Sequence, residues 1–187
     1  MPTRLVALLL LLAVGVAGCA TPGGGEKGPE ARPLSERMDD RRLAAAIRAG
    51  VIQDAELRFD GNITVTVHDG IVLLTGEVRD SELAERAARM AREREGTRRV
   101  YNELEVDDFS SVFARIRDRT IAMRARSQVR SLDPAERPHP SRVRLHVERQ
   151  RLYLLGTLTT EPRDAVTDTL RRVGGIEEVI RMIQRAD

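Results

Sequence analysis

The sequence predicts an α+β protein made of two copies of one small fold, and three observations lead to this prediction. Matching segments recur along the chain at a spacing of about 80 residues. Within each copy, apolar positions change from the spacing of a helix to that of a strand and back. The chain is 41% hydrophobic but only 3% aromatic, which is typical of globular folds with aliphatic cores.

The internal repeat keeps both its order and its spacing. The matching pairs are Val67–Val78 with Val147–Leu158, Asp40–Leu43 with Asp118–Ile121, and Gly96–Val100 with Gly175–Val179. Duplication explains three ordered matches better than coincidence does. We therefore predict two domains, residues 38–108 and residues 109–187.

The N-terminus predicts a lipoprotein signal. The apolar run Leu5–Ala17 follows Arg4 and is too short to cross a membrane, but it has the length of a secretory signal. Val16–Cys19 resembles the lipobox of bacterial lipoproteins, in which the cysteine receives a diacylglycerol. Residues 1–18 are thus predicted as signal peptide and Cys19 as the lipid attachment site; the alternative is an ordinary signal cleaved near Ala17.

The residues after the cysteine predict the localisation of the protein and a tether. By resemblance to lipoprotein sorting in double-membrane bacteria, Ala20 in place of an aspartate favours the periplasmic face of the outer membrane. The following stretch is rich in Gly and Pro and has no apolar periodicity. We predict that residues 19–37 form the lipidated cysteine and a disordered tether.

The first copy predicts a helix followed by a hairpin. Leu43, Ile47 and Val51 mark the buried face of the helix, for which Asp39 or Asp40 is the expected cap. Alternating apolar residues from position 63 to position 67 then predict a half-buried strand. Asp69-Gly70 predicts the turn into the partner strand Ile71–Val78.

A second helix and a third strand complete this copy. Ser81 begins an Ala-rich helix that extends to about Arg94, and Gly96 ends it. The third strand is predicted at Val100–Val106, with Val100, Leu104 and Val106 pointing inward.

The second copy repeats the pattern with two departures. Its predicted elements are a helix at Asp118–Leu132, strands at Val143–Val147 and Leu152–Leu158, a helix at Pro162–Val173 and a strand at Glu178–Gln184. The hairpin has Arg149-Gln150 where a glycine is expected, and an insertion containing Pro134, Pro138 and Pro140 follows the first helix.

This order of elements, with Gly76 and Gly156 near the ends of equivalent strands, resembles the BON domain. Two such copies after a lipobox are similar to the dual-BON outer-membrane lipoproteins of the DolP type, related to the periplasmic protein OsmY. The resemblance implies two tandem BON-like αββαβ domains, each a three-stranded sheet with two helices on one face. It also implies a non-enzymatic role in maintaining the outer membrane under stress.

No catalytic or metal-binding motif is found in the sequence. His68, His139 and His146 lack the spacing of metal ligands, and the acidic pairs Asp107-Asp108 and Glu177-Glu178 fit solvated charges. We expect no metal and no cofactor beyond the lipid on Cys19. Gly76 and Gly156 are interpreted as bulges or tight bends rather than as a ligand site.

One helix stands out by its charge. Residues 115–130 contain six arginines and one aspartate, whereas the equivalent helix of the first copy is balanced. Ile121, Ala125, Val129 and Leu132 form its core stripe, and Arg119, Met123, Arg126 and Arg130 lie about a third of a turn away. A basic outward face suits anionic lipid headgroups; alternatively, the arginines pair with neighbouring acids and only solvate the helix.

The family resemblance indicates the same helix, because in DolP-type proteins it is the surface associated with anionic phospholipid. In this chain Thr120 takes the position at which DolP-type proteins have an exposed aromatic residue. This difference favours electrostatic docking on the headgroups over insertion into the acyl region. The predicted phospholipid-binding residues are Arg119, Thr120, Met123, Arg126 and Arg130.

The sequence therefore predicts a lipid-anchored envelope protein that binds anionic phospholipid through its second BON-like domain. The expected partners are the membrane, anionic phospholipids and envelope proteins, and nucleic acid is not expected because the chain is exported. The alternatives are a periplasmic protein-binding or chaperone-like module, using the third strands as exposed sheet edges, and a purely structural spacer.

Overall fold

The computed structural model describes residues 31–109 and 111–185. The predicted signal peptide, the lipid attachment site Cys19 and most of the predicted tether lie outside these residues. No helix within the described ranges is long and apolar enough to cross a membrane.

Two sheets of three strands each form the framework, and both have the same topology. The first copy contains α1 (Leu34–Gln53), α2 (Ala55–Phe59), β1 (Gly61–His68), β2 (Ile71–Val78), α3 (Ser81–Arg92) and β3 (Arg99–Val106). The second contains α4 (Val112–Arg130), β4 (Val143–Glu148), β5 (Arg151–Leu158), α5 (Thr160–Arg171) and β6 (Glu178–Arg185). In each sheet the middle strand is antiparallel to the first and parallel to the last. The predicted α+β class is confirmed.

Each sheet buries one face under helices of its own copy. In the first copy, Leu43, Ile47 and Val51 of α1 pack with Val65 and Val67 of β1, as the helical spacing predicts. The second copy has an equivalent core built around Ile121, Leu154 and Leu170. Each core therefore closes within about 70 residues of chain, which is close to the lower size for a domain that folds alone.

Asp40, which was one of two expected helix caps, and its repeat counterpart Asp118 lie within helices and bind the hairpin turns. The Asp40 carboxylate accepts hydrogen bonds from the amides of Asp69 and Gly70, each at 3.0 Å. Asp118 does the same for Arg149 (2.8 Å) and Gln150 (3.1 Å). These pairs locate the first helix of each copy against its hairpin, which explains why both aspartates recur in the repeat.

The turn without a glycine keeps the left-handed geometry of its counterpart. Asp69 and Gly70 have φ of 52° and 68°, and Arg149 and Gln150 have φ of 48° and 64°. A non-glycine residue in this region is strained. The two hydrogen bonds to Asp118 offset that strain, so the sequence departure leaves the hairpin intact.

The predicted bulges at Gly76 and Gly156 are absent, but both glycines have a structural role. Gly76 has φ of +110°, and a Cβ atom there would lie 1.9 Å from the Asn62 carbonyl oxygen. A Cβ on Gly156 would lie 2.6 Å from the carbonyl oxygen of Arg142. The strand pairing continues through both positions without a bulge, so the glycines allow close approach of neighbouring backbones.

The outer faces of the two sheets pack against each other. Ile71 and Leu73 of β2 contact a cluster formed by Tyr153, Leu155 and Met182 of the second copy. All five side chains are at most 3% exposed. The middle strand β2 is consequently buried on both faces.

Ion pairs and a hydrogen bond surround this apolar contact. Arg149 forms ion pairs with Glu77 (3.4 Å), Asp107 (2.7 Å) and Glu105 of the first copy. Arg151 reaches Glu103 at 3.2 Å. The hydroxyl of Thr75 lies 2.8 Å from Nε2 of His146. The two copies thus form one body joined by a mixed apolar and charged interface.

Some predicted boundaries are wrong. Helix α1 begins at Leu34, inside the predicted tether, and α4 begins at Val112 rather than at Asp118 because Ser111 caps it by accepting from the Ala114 amide. The short helix α2, capped by Asp54, was not predicted. Val106 was expected to point inward but is 55% exposed, since it ends its strand.

Candidate functional site on helix α4

The outward side of α4 and the residues just before it carry exposed apolar side chains. Phe113 is 85% exposed, Met123 67% and Ile116 53%, and Val112 and Phe109 are also exposed. At 100° per residue, Phe113, Ile116 and Met123 fall on one side of the helix, with Thr120 between them. The core residues Ile121, Ala125 and Val129 lie on the opposite side and are buried. A contiguous exposed apolar strip of this kind marks an interaction surface.

Arginines border this strip, and the one acid of the helix does not neutralise it. Arg119 and Arg124 are exposed and form no ion pair or hydrogen bond within the described ranges. Asp118 is buried, where it binds the hairpin amides and lies 3.9 Å from Arg117. The outward surface of α4 is therefore strongly cationic with an apolar centre.

The predicted residues divide into two groups. Arg119, Thr120 and Met123 are exposed along the outward side of the helix, and the Thr120 hydroxyl donates to the Ile116 carbonyl at 3.0 Å. Arg126 and Arg130 line a neighbouring cavity, which is also lined by Pro134, Pro138 and Pro140 of the loop after α4. Arg126 also donates a hydrogen bond to the Leu145 carbonyl at 3.2 Å, so it holds strand β4 as well as presenting charge.

The first copy has a counterpart of this last contact. Arg48 of α1 donates to the Val65 carbonyl at 2.7 Å, and Arg48 and Arg126 are separated by 78 residues, the spacing of the repeat in this part of the chain. The shared contact indicates that Arg126 has a structural role inherited from the duplication.

Sequence reasoning missed Phe113 and Ile116. The repeat alignment placed the start of the helix at Asp118, and neither residue was assigned to the exposed face of the helix. The signal that could have found them is Ser111, a favourable N-cap followed by Val112 and Phe113. Their exposure supplies the aromatic and aliphatic groups that Thr120 alone does not.

Several of the other candidate groups have structural partners. Asp107 pairs with Arg149, and Glu178 pairs with Arg151 at 3.1 Å. His146 faces Thr75 across the interface. Within residues 31–109 and 111–185, no group of three or more His, Cys, Asp or Glu side chains is arranged to hold a metal ion.

Comparison with known proteins fits this architecture. The model of the BON domain matches residues 39–108. The chain is 28% identical to the outer membrane lipoprotein DolP of Haemophilus influenzae over 193 aligned residues, which cover 100% of this chain and 98% of that protein. It is also 26% identical to a 21 kDa hemolysin of Actinobacillus pleuropneumoniae, covering 84% of this chain and 82% of the relative.

Two solved structures of CdsD, a structural protein of the type III secretion system of Chlamydia trachomatis, were also found. They are 10% and 12% identical to this chain, and each alignment covers 78% of it. The alignments cover 98% and 92% of those chains, with TM-scores of 0.31 and 0.28.

The chain is a BON-domain protein. It is homologous over its full length to the outer membrane lipoprotein DolP. This homology confirms the predicted localisation as a lipoprotein of the outer membrane, and no catalytic family is indicated by these matches.

Proposed function

We propose that this lipoprotein docks the exposed face of α4 on anionic phospholipid and thereby helps to maintain outer-membrane integrity under stress. The observation that carries the proposal is the apolar strip of Phe113, Ile116 and Met123 bordered by Arg119 and Arg124. Apolar side chains can enter the interface between headgroups and acyl chains while the guanidinium groups bind phosphate oxygens. Each cation near an anionic surface contributes about 1 kcal/mol.

The proposed anchor and the proposed docking face support each other. A lipid on Cys19 would keep the domains at high effective concentration near the membrane, so that a weak contact would be enough. The lipid anchor would attach the protein to the membrane, and α4 would make it prefer anionic lipid. Arg126 and Arg130 would extend the positive charge toward the C-terminal end of the helix.

Vesicle co-sedimentation tests this function. A form spanning residues 20–187 retains every described residue and lacks the cysteine, so any binding reports the folded part. We expect it to sediment with phosphatidylglycerol or cardiolipin vesicles, to be released by high salt, and not to bind phosphatidylcholine vesicles. The double variant Arg119→Glu/Arg124→Glu should weaken binding by about 10-fold or more.

A matched control reverses the same amount of charge elsewhere. Arg89 of α3 and Arg181 of β6 are exposed, and Arg89→Glu/Arg181→Glu should retain most of the binding. Equal binding of the unmodified protein to zwitterionic and anionic vesicles would refute lipid selectivity. If both double variants lose vesicle binding equally, the binding depends only on the net charge of the protein and not on α4.

A protein-binding function has a specific observation in its favour. β3 and β6 lie at sheet edges, as the alternative from the sequence requires, and an open edge can pair with a strand of a partner. Capture of envelope proteins that is unaffected by Arg119→Glu/Arg124→Glu, together with no vesicle binding, would favour that function.

A further inference from the structure

Two adjoining cavities lie in a groove beside the interface of the two copies. The larger, of about 920 Å³, lies between the end of α4, strand β4 and the loop of residues 133–141. The smaller, of about 310 Å³, lies between that loop, α1 and the end of β1. Arg144 and His139 line both cavities, so the two spaces form one site to which both domains contribute.

The groove carries a large excess of positive charge. Eight arginines line the two cavities, and the one carboxylate among the lining residues is that of Asp40. Asp40 is already engaged by Arg32 at 2.8 Å and by two turn amides. The other seven arginines form no ion pair with any described residue. A cluster of guanidinium groups without counter-charges favours an anionic ligand.

Arg144 lies at the centre of this cluster. Partial burial of its guanidinium, followed by repulsion from Arg126, Arg48 and Arg41, lowers its pKa, although Asp40 opposes the shift. The same repulsion would be relieved by a bound anion. Arg126 and Arg48 are held in place by their bonds to strand carbonyls, so the cationic groups are positioned in advance.

His68 supplies an independent observation that points to a ligand. It lines the smaller cavity, is 4% exposed, and its Nε2 has no hydrogen-bond partner among the described residues. Nδ1 lies 3.5 Å from a guanidinium nitrogen of Arg32, which can only donate. Nε2 therefore carries the proton of the neutral ring, and a buried donor is left without an acceptor, which is costly in a folded protein.

The larger cavity adds apolar walls to this charge. Val129 of α4, Leu145 of β4 and three prolines of the loop line it together with Arg126 and Arg130. Such a space suits a ligand with an anionic head and an apolar part. The loop is also tied to the first domain, because the Arg32 amide donates to the Ser141 hydroxyl at 2.8 Å.

We propose that this groove is a second ligand site, in which Arg144 and the surrounding arginines of both domains bind a phosphoryl anion. The phosphoryl group belongs to a lipid headgroup or to free phosphate, and in a lipid the apolar part would lie against Val129 and Leu145. This site is separate from the exposed apolar strip of α4, since Phe113 and Met123 do not line it, but it shares Arg126 and Arg130 with the proposed membrane surface.

Isothermal titration of the form spanning residues 20–187 tests the proposal. The probes are dihexanoyl phosphatidylglycerol below its micelle-forming concentration, inorganic phosphate, and dihexanoyl phosphatidylcholine as the zwitterionic comparison. We expect saturable binding of the phosphatidylglycerol, weakened about 10-fold or more by Arg144→Gln and by Arg41→Gln. Arg89→Gln, and Phe113→Ser/Met123→Ser on the exposed face of α4, should leave this binding unchanged.

The probes separate the two sources of the phosphoryl group. Tighter binding of phosphatidylglycerol than of phosphate assigns the site to a lipid headgroup, and the reverse order assigns it to free phosphate. Absence of saturable binding of both probes, equal binding of phosphatidylcholine, or binding unaffected by Arg144→Gln overturns the proposal. Loss of binding in Phe113→Ser/Met123→Ser would show that the titration reports the face of α4 instead.

Discussion

At the scale of single residues, the duplicated contacts explain what the repeat preserves. Asp40 and Asp118 bind equivalent turn amides, and Arg48 and Arg126 bind equivalent strand carbonyls. These residues are polar and lie within helices, where sequence patterns suggest caps or solvated charge. The atoms that these side chains contact are distant along the chain. The spacing of the repeat therefore shows that the residues recur, but it does not show which atoms they contact.

His68 makes the free energy of unfolding depend on pH. Burial, and then repulsion from Arg32, lowers its pKa from 6.5 to about 4; Asp40 and Asp69 oppose the shift, and Arg144 adds to it. The unfolded chain therefore binds a proton between pH 6.5 and 4 that the folded protein does not bind. Stability should fall as pH decreases through this window, by about 2 kcal/mol from pH 7 to pH 5.

Urea unfolding at the two pH values measures this effect. In the His68→Gln variant the difference between pH 7 and pH 5 should shrink by most of that amount, because no ring is left to titrate. Asp40, whose pKa is lowered below 3.8 by its turn-amide and Arg32 contacts against the opposing effect of burial, acts only at lower pH. An unchanged difference in His68→Gln would contradict the assignment to this residue.

At the level of elements, the sequence predicted all six strands and four of the five helices that the described part of the chain contains. Strand β2 was placed at its observed bounds, Ile71–Val78, because Asp69-Gly70 fixes its start. The beginning of α4 was missed because the alignment of the repeat was followed instead of the cap at Ser111. The error mattered, since the six omitted residues include Phe113 and Ile116.

The packing of the two sheets was the part that sequence could not supply. Leu73 and Tyr153 are apolar residues of middle strands, and either face of such a strand can hold a core. The contact between them joins two domains whose own cores are already complete. Nothing in local periodicity distinguishes such a contact from a single-domain core.

Polar substitutions on the apolar face of α4 should weaken membrane binding without lowering the stability of the fold. Phe113→Ser/Met123→Ser removes two exposed side chains, so we expect the free energy of unfolding to change by less than about 0.5 kcal/mol. Vesicle affinity should fall about 10-fold or more, because burying one such side chain contributes about 1.5–3 kcal/mol.

Phe59 provides the matched control for this prediction. It is 67% exposed on α2 of the first domain, and Phe59→Ser should bind phosphatidylglycerol vesicles as the unmodified protein does. If Phe113→Ser/Met123→Ser keeps its affinity for phosphatidylglycerol vesicles, the apolar strip does not contribute to membrane binding. The arginines would then be the membrane contact.

At the scale of the whole molecule, Arg149 connects the two domains. Its guanidinium faces Glu77, which is fully buried, as well as Glu105 and Asp107. Arg149→Ala should lower the free energy of unfolding by about 3 kcal/mol, because it removes a charge that compensates a buried carboxylate. Chemical denaturation measures the change.

Two further variants separate this effect from ordinary loss of a surface ion pair. Arg149→Ala/Glu77→Gln should recover part of the stability, since the buried carboxylate that faces Arg149 is then also removed. Arg171→Ala, which breaks an exposed pair with Asp168, should cost less than about 1 kcal/mol. Equal effects of Arg149→Ala and Arg171→Ala would show that the interface contributes little.

Under the proposed function, α4 is the part of the folded protein that meets the membrane. Because Cys19 is the only cysteine, a nitroxide can be placed at a single introduced cysteine in the form spanning residues 20–187. Its accessibility to oxygen, which is high in the acyl region, is then measured by electron paramagnetic resonance for Phe113→Cys and Phe59→Cys. With phosphatidylglycerol vesicles we expect a rise at position 113 only, and with phosphatidylcholine vesicles no rise at either. A label at position 113 that stays in water while the protein is bound, or a rise at position 59, would show that the membrane contact does not lie on α4 as proposed.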